Sequence, residues 1–422
     1  MKQHNFLTGK IDKCQICGSN NLIQVIDLGH QPLANTLQKN NQDKEKMEKF
    51  PINVVRCRDC TLMQIDYIVD QNKVYHQDYP YLPGITKTVD MEQKDLADYL
   101  ISYLDLNSKD TVLDIGSNDG SLLLHFKEKN LNVVGVEPTN IAKIANRNGV
   151  YTIQSFFNTD SVKKALQKVG KVKLITSTNV FAHMSTLGDV MDGIVEAIDE
   201  DGFFCFENHY IMEIIDKVQY DTFYHEHLRT YSLISLIKLF EIYGLCLFHA
   251  QIVTRYGGSI RCLVSKKKRN RSENLNKLIQ IEKDWLIDNS DQTYDEFVKK
   301  IQRSRNDLKK ILSEIKSKNL TIVAKSCPAR AVVLLHYCDL DESTIDFIAE
   351  QPTSLKLNYK VPGTNLKIIN DDVLMDKDPD YILLLAWHLS KPIVKKWKER
   401  GLKSKFIIPL PEVTTIWMKN II

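Results

Sequence analysis

Tyr224-His225-Glu226-His227 puts a phenol, two imidazoles and a carboxylate into one short segment. These groups suit proton abstraction beside a carbonyl: a histidine as base, a carboxylate to orient or polarise it, and a phenol to hydrogen-bond the oxygen of a developing enolate. His-x-His in an extended segment also puts two metal ligands on one face. A polar surface loop has the same composition, so residue type alone leaves all three readings open. His183, at the end of Asn179-Val-Phe-Ala-His183, follows another apolar run and could reach the same pocket. Alone it suits capping or packing equally well.

A second constellation points to an adenosine-type cofactor. Val112-Leu113-Asp114-Ile115 is a short apolar run, and Gly116-Ser117-Asn118-Asp119-Gly120 is a turn. Leu122, Leu123, Leu124 and Phe126 give the next residues an apolar helical face, and Val133-Val134-Gly135-Val136 is a second strand running into Glu137. Gly116 and Gly120 let backbone approach a ligand, and an acid about 20 residues on, Glu137, can accept from a ribose diol. A dinucleotide needs G-x-G-x-x-G so that its pyrophosphate can sit on the helix N-terminus. Here the spacing is Asp114-x-Gly116-x-Asn118-x-Gly120 with Asp119 beside the turn. Carboxylates there repel a pyrophosphate and tolerate the ammonium of an aminoacyl adenosine. S-adenosylmethionine is therefore expected rather than NAD, with Pro138, Phe156, Phe157 and Asn179 completing its pocket. The bland alternative is a glycine-rich turn that binds nothing.

Cys14-Gln-Ile-Cys17 and Cys57-Arg-Asp-Cys60 are two C-x-x-C knuckles separated by residues 18–56. Each knuckle offers two thiolates from one tight turn, and two knuckles complete a tetrahedron for Zn²⁺. Four thiolates leave no open coordination position, so this zinc is expected to be structural. A redox C-x-x-C would be single and inside a βαβ unit. Cys205, Cys246, Cys262, Cys327 and Cys338 lie in apolar surroundings and read as small core residues.

The elements that must position these groups follow from pattern and composition. At 422 residues, with 43% hydrophobic and 26% charged residues, the chain is an ordinary multidomain globular protein. A net charge of +3 argues for neither nucleic acid nor an anionic membrane. No apolar run approaches a membrane span, and Met1-Lys-Gln-His-Asn5 has no signal-like region, so a cytoplasmic location is expected. Four segments are expected. Residues 1–85 form a zinc-binding module with an aromatic substrate loop, Val74 to Gly84. Residues 86–266 form a Rossmann-like methyltransferase domain, with a helix from Thr88 to Asp105 and with Tyr256–Val264 closing the sheet. Residues 267–319 form a helical connector. Residues 320–422 form a second α/β domain. The run Lys266–Arg269 reads as a solvated linker rather than a nucleic-acid patch. The fold class is thus α/β throughout, a central class I Rossmann-like domain flanked by a four-cysteine zinc module and a C-terminal Rossmann-like domain.

The order of parts resembles the deoxysugar C-methyltransferases, which methylate C3 of nucleotide-linked 4-keto-6-deoxysugars. The resemblance spans nearly the whole chain. It rests on both C-x-x-C knuckles, Asp78-Tyr-Pro-Tyr81, Asp114-Ile-Gly-Ser-Asn-Asp-Gly120, Asn179-Val-Phe-Ala-His183, Tyr224-His-Glu-His227, Tyr256-Gly-Gly-Ser-Ile-Arg261 and Pro362-Gly-Thr364. The resemblance implies that His227 removes the C3 proton, that Tyr224 and Glu226 assist alongside His225 and His183, and that Tyr79 or Tyr81 lines the sugar site. It implies a nucleotide-linked 4-ketosugar held by the C-terminal domain, with Arg330, Lys325, Tyr359 and Arg261 as substrate-binding residues. One departure stands out. The family opens its C-terminal domain with a Gly-Ala-Pro-Ala-Lys-Gly type turn, and here the chain reads Lys325-Ser-Cys-Pro-Ala-Arg-Ala331. Arg330 in place of lysine could hold a phosphate bidentately, and guanine or cytosine joins thymine as an expected base (GDP, CDP or dTDP). The competing functions are an RNA or protein methyltransferase that grips its substrate with the zinc module, and a non-catalytic scaffold. No basic aromatic stripe supports the first, and Asp114, Gly116, Gly120 and Glu137 speak against the second. No nucleic-acid or membrane partner is expected, and the chain is expected to be a monomer or weak oligomer.

Overall fold

The computed structural model describes residues 4–75 and 87–416. Tyr79, Tyr81 and most of the aromatic loop lie outside the described residues. The N-terminal module is a small antiparallel sheet of β1 (Leu22–Pro32), β2 (Lys49–Cys57) and β3 (Met63–Ile65). Its fourth strand, Arg229–Thr230, comes from the segment immediately after His227 and pairs with Met63 and Gln64. The module and the chemistry-bearing segment are therefore hydrogen-bonded in one sheet.

Helix α1 (Lys87–Leu104) leads into the central sheet: β4 (Thr111–Ile115), β5 (Asn132–Glu137), β6 (Thr152–Gln154), β7 (Val172–Thr178), β8 (Ile198–His209), β9 (Cys246–Val253) and β10 (Ser259–Ser265). Their spatial order is β9-β10-β8-β7-β4-β5-β6, and β10 alone runs against the rest. Strand order reverses between β4 and β7, the switch point at which open α/β sheets bind ligands. Sequence pattern has Tyr256–Val264 closing the sheet, and Ser259–Ser265 is its last strand in chain order. The structure adds a strand the pattern did not name: β9 forms the edge and β10 lies inside it, because Cys246–Val253 pairs antiparallel with Ser259–Ser265 as a hairpin. On the face behind the switch point, Phe181, Phe204, Phe206 and Phe240 form a buried ring cluster, with Phe181–Phe206 and Phe204–Phe206 centroids 5.1 Å apart. Truncating any one to alanine would cost about 3–5 kcal/mol.

Helix α2 (Ser121–Glu128) follows the turn after β4, and α3 (Leu233–Ile242) follows the Tyr224–His227 segment. The connector consists of α4 (Glu273–Lys283) and the long α5 (Ser290–Ser317). Tyr294, Phe297, Ile301, Leu308, Leu312 and Ile315 make the buried stripe of α5 at helical spacing. The connector also touches the zinc module, where Arg56 lies over the Tyr294 ring at 4.6 Å and Arg58 pairs with Asp291 at 2.9 Å. Within the basic run, Lys266 pairs with Glu200 and Arg269 lies over the Phe203 ring. The C-terminal sheet holds β11 (Ile322–Lys325), β12 (Ile348–Glu350), β13 (Ile368–Asn370), β14 (Tyr381–Leu384), β15 (Lys405–Ile408) and β16 (Thr414–Ile416), in the order β13-β12-β11-β14-β15-β16. Helix α6 (Ala329–Tyr337) follows β11. No helix among the described residues is long and apolar enough to cross a membrane.

Candidate active site

The turn after β4 is built by backbone conformations that few side chains tolerate. Gly116 has φ +71°, and a Cβ there would meet the Val180 methyls at 2.6 and 2.9 Å. Asn118 (φ +49°) and Gly120 (φ +80°) are also left-handed. The Glu137 carboxylate at the end of β5 ties the turn down. Its Oε2 accepts from the Asn118 amide (3.1 Å), and its Oε1 accepts from the Thr139 amide (2.9 Å) and hydroxyl (2.7 Å). Asp119 Oδ1 accepts from the Ser121 amide at the start of α2 (3.2 Å). Asp114 is buried beneath the turn and accepts from Thr176 Oγ1 at 2.7 Å, and burial raises its carboxyl to about 7. Pro138 and Phe156 are half-buried, while Phe157 is buried in the core. A Cβ added at Gly193 would meet its ring at 3.0 Å.

Several buried polar atoms near the strand ends around the turn are unsatisfied. Ser117 Oγ, Ser177 Oγ, Asn179 Oδ1 and both amide atoms of Asn208 are buried with no hydrogen-bond partner among the described residues. They sit at the carboxyl ends of β4, β7 and β8, three adjacent strands. Buried polar atoms without partners are rare and costly, and a ligand carrying hydroxyl, ammonium and carboxylate groups would satisfy them. The residues present thus fit an aminoacyl adenosine. Ser177 and Asn208 were not picked out from sequence because single polar residues at strand ends carry no motif; their position beside the switch point is the only signal.

The imidazoles converge on His227. Its ring centroid lies 4.0 Å from the Tyr224 ring, 4.8 Å from His183 and 4.9 Å from His209. His183 stands on the turn Phe181–His183 after β7, and His209 ends β8. His209 was not singled out from sequence, since it precedes the cluster by many residues and only the sheet brings it back. His227 Nδ1 lies 2.6 Å from the Thr222 carbonyl oxygen and 3.1 Å from Thr222 Oγ1. A carbonyl can only accept, so Nδ1 carries the proton and Nε2 keeps its lone pair. Burial lowers His227 to about 3, opposed by the Thr222 bond and reinforced by Arg330, and burial likewise drives His183 and His209 well below the usual range. All three rings are neutral at ordinary pH. Glu226 Oε1 accepts from Asn35 of the zinc module at 2.7 Å. Among the described residues, no group of three or more metal-ligating side chains other than the four cysteines comes together, so the His-x-His metal reading finds no support there.

Four expected site residues are placed otherwise. His225 points away from His227, its Nε2 donating to the Phe50 carbonyl (3.1 Å), because the segment is a turn, closed by the His227 amide on the Tyr224 carbonyl (2.8 Å), and not the extended strand that would put both rings on one face. Arg261 Nε binds the fully buried Glu207 at 2.7 Å, and Lys325 pairs with buried Asp371 at 3.1 Å. Arg330 is closed into a pair with Asp221, its Nη2–Oδ1 distance being 2.6 Å. Their charge is thus answered within the protein rather than held out to a phosphate. Tyr359 is half-buried on a two-residue strand that pairs with Gln38 and Lys39 of the zinc module.

The four cysteines meet. All four sulfurs lie within 4.8 Å of one another, with Cys14–Cys60 at 3.4 Å and Cys17–Cys57 at 3.5 Å. A zinc at about 2.3 Å from each would separate its sulfurs by roughly 3.8 Å, so the donor set fits that ion. The two knuckles share one design: the residue after each second cysteine is left-handed (Gly18 φ +73°, Thr61 φ +62°) and donates its amide to the first cysteine's carbonyl (3.1 and 3.0 Å). Thr61 Oγ1 also lies 2.7 Å from Ser232 Oγ, which caps α3. Zinc would hold the module that holds the strand following His227.

Comparison with known proteins agrees with this division of labour. Residues 14–75 match the family model described as "Putative zinc binding domain", residues 90–250 that of a methyltransferase domain, and residues 254–411 that of a C-methyltransferase C-terminal domain. The C-methyltransferase NovU of Streptomyces niveus is 29% identical over 412 residues, 96% of this chain and 97% of that protein. Two solved structures align with part of the chain: an S-adenosylmethionine-dependent methyltransferase from Clostridium acetobutylicum (15% identity, 42% of this chain and 92% of that one, TM-score 0.34) and the magnesium protoporphyrin IX methyltransferase of Synechocystis (11% identity, 42% and 79%, TM-score 0.32).

Proposed function

We propose, for a chain that belongs to the zinc-containing, S-adenosylmethionine-dependent C-methyltransferase family, that the carbon methylated is C3 of a nucleotide-linked 4-keto-6-deoxysugar. The observation that carries this reading is the tautomer of His227. Carbon, unlike an amine, needs a general base before it can attack a methyl group. The Thr222 carbonyl dedicates Nδ1 as donor and leaves Nε2 as acceptor in a buried pocket. His227 Nε2 takes the C3 proton, and the C3–H electron pair moves into the enolate whose negative charge rests on the C4 oxygen. Tyr224, whose hydroxyl burial keeps protonated, donates to that oxygen. His183 and His209 wall the base in and exclude water, and Glu226 ties the segment to Asn35. When bound, S-adenosylmethionine would supply an electrophilic methyl, and the turn after β4 with Asp114, Gly116, Asn118, Asp119, Gly120, Glu137 and Asn179 would hold it. With the donor bound, that methyl would pass to C3 and the thioether would be the leaving group.

The test offers dTDP-, GDP- and CDP-linked 4-keto-6-deoxyhexoses, deuterated at C3, to the enzyme with the methyl donor and reads the product by mass spectrometry. Gain of one methyl with loss of the C3 deuterium is expected for one nucleotide, and His227→Ala should abolish both while S-adenosylhomocysteine still binds. Methylation with the C3 deuterium retained would refute the assignment of carbon and base together.

A further inference from the structure

The aim of His227 depends on a carbonyl, and the residue before that carbonyl is gripped from another domain. Asp221 is fully buried and precedes Thr222 in a single hydrogen-bonded turn, in which the Thr222 amide donates to the Gln219 carbonyl at 3.1 Å. The Asp221 Oδ2 accepts from Arg330 Nε (2.8 Å) and Trp387 Nε1 (2.8 Å), and its Oδ1 accepts from Arg330 Nη2 (2.6 Å). The rest of the guanidinium is occupied too. Nη2 also donates to Gln219 Oε1 (3.1 Å), and Nη1 donates to the Tyr256 carbonyl (3.2 Å) and lies 3.4 Å from His388 Nδ1. The guanidinium plane lies over Trp387, 4.9 Å from its ring centre. An arginine has five N–H donors in a fixed fork, and here each has an acceptor within the protein.

We propose that Arg330 is a positioning residue for His227, not a phosphate ligand: from the C-terminal domain it clamps Asp221 and the Gln219–Thr222 turn, and so fixes the carbonyl that sets the tautomer and direction of the base. The inference rests on His227 being the base. It gives the C-terminal domain a second task beyond substrate binding, since the central domain alone would leave Asp221 a buried carboxylate without a counter-charge. Lysine cannot replace Arg330 here, because one ammonium cannot reach Asp221, Gln219 and the Tyr256 carbonyl from a planar fork.

The test compares Arg330→Lys, Asp221→Asn and Trp387→Phe with His227→Ala. Three quantities are read with the preferred dTDP-, GDP- or CDP-linked 4-keto-6-deoxyhexose: kcat and KM, the rate of C3–H exchange into D₂O without methyl donor, and S-adenosylhomocysteine affinity by calorimetry. Arg330→Lys and Asp221→Asn should each lower kcat and exchange on the order of 100-fold with KM and S-adenosylhomocysteine affinity unchanged. Trp387→Phe, which removes one donor and keeps an aromatic face, should show the same split with smaller amplitude, and it serves if the other two fail to fold. A raised KM with kcat and exchange retained would make Arg330 a phosphate ligand and overturn the proposal, as would wild-type exchange in Asp221→Asn. If His227→Ala still exchanges the C3 proton, the underlying reading falls. If His227→Ala loses exchange while the other variants keep it, the positioning inference alone falls.

Discussion

The turn after β4 and the turn after β11 are the same piece of backbone used in two ways. In each, the first residue past the strand is left-handed, Gly116 at φ +71° and Ser326 at φ +69°. Each donates its amide to the residue before an acid at the end of the second strand, Val136 at 2.8 Å and Ala349 at 2.9 Å. That acid then accepts from an amide of the turn, Asn118 to Glu137 at 3.1 Å and Cys327 to Glu350 at 2.7 Å. The five central strands also share one order in both sheets. The surroundings differ. Around the first turn, Ser117, Ser177, Asn179 and Asn208 leave buried polar atoms unpartnered. Around the second, Arg330 is closed on Asp221, Lys356 donates to the Cys327 carbonyl at 2.9 Å, and Lys325 lies 3.1 Å from Asp371, whose Oδ2 takes no hydrogen bond and is the one unpartnered atom among these groups. A βα turn of this shape therefore does not by itself announce a ligand; what differs is how many polar atoms around it are left unpartnered.

The largest effect expected along this contrast is at Gly116. Gly116→Ala puts a Cβ into the Val180 methyls at φ +71°. A left-handed alanine costs about 1–2 kcal/mol and the overpacking about 1–3 kcal/mol. Affinity for S-adenosylhomocysteine should fall at least tenfold, roughly 1.4 kcal/mol, by calorimetry. Wild-type affinity would mean that the open turn is not the donor site and would erase the contrast.

The two acids come next. Glu137→Gln weakens charge-assisted bonds to the Asn118 and Thr139 amides, worth about 1.5–3 kcal/mol, at the mouth of the donor site. It should cost donor affinity about tenfold, the lower end of that range. Glu350→Gln should lower the melting temperature by a similar mechanism and leave donor affinity untouched. Equal losses of donor affinity from both would show that the two turns are not divided in the way their polar surroundings indicate.

Much of the first turn was legible in the sequence, because strand, glycine turn, amphipathic helix, strand and acid occur in one continuous stretch. So were the zinc knuckles, whose geometry is local. The convergence on His227 was only half legible. Tyr224 and His227 are neighbours in sequence, but His209 and Thr222 matter through where the chain folds, and a backbone carbonyl has no residue letter to read. The setting of Arg330 was hidden for the same reason: its partner Asp221 lies in another domain, and an arginine in a βα turn reads as a phosphate ligand until its donors are counted. The strand β9 was missed because Cys246–Val253 gains its identity by pairing with β10, a contact that no period within β9 encodes.

Asp114 offers a smaller test through pH. Burial raises its folded carboxyl to about 7 from a usual 3.8. Between those values the folded state keeps a proton that the unfolded chain has released, so this group's contribution to stability declines as pH rises towards 7 and then levels off. Asp114→Asn removes that slope and should melt higher than the parent at pH 8, with the gap closing at pH 4, when both are heated without donor. The gain is on the order of 1 kcal/mol, since an amide oxygen can still accept from Thr176. The equivalent strand position in the other sheet is Ala324, which has no charge to titrate. A slope unchanged in the variant would assign the pH dependence elsewhere, Glu282 being the other buried acid raised to about 7.

The smallest effect should come from Ser326→Gly, which gives the second turn the residue of the first. The family resemblance expects glycine at this position, and the structure supplies the reason, a left-handed φ of +69°. Releasing serine from that conformation gains about 1–2 kcal/mol, while glycine's greater freedom in the unfolded chain takes back about 0.5–1 kcal/mol. The net is a stabilisation of roughly 0.5 kcal/mol, a rise in melting temperature of about 1–2 °C. Because Lys325, Arg330 and Lys356 stay paired around the turn, KM for the sugar nucleotide should not change. A clear fall in KM would show instead that the Ser326 side chain had been restricting a ligand there. The second turn would then be a site narrowed by one hydroxymethyl group, not one closed by its ion pairs.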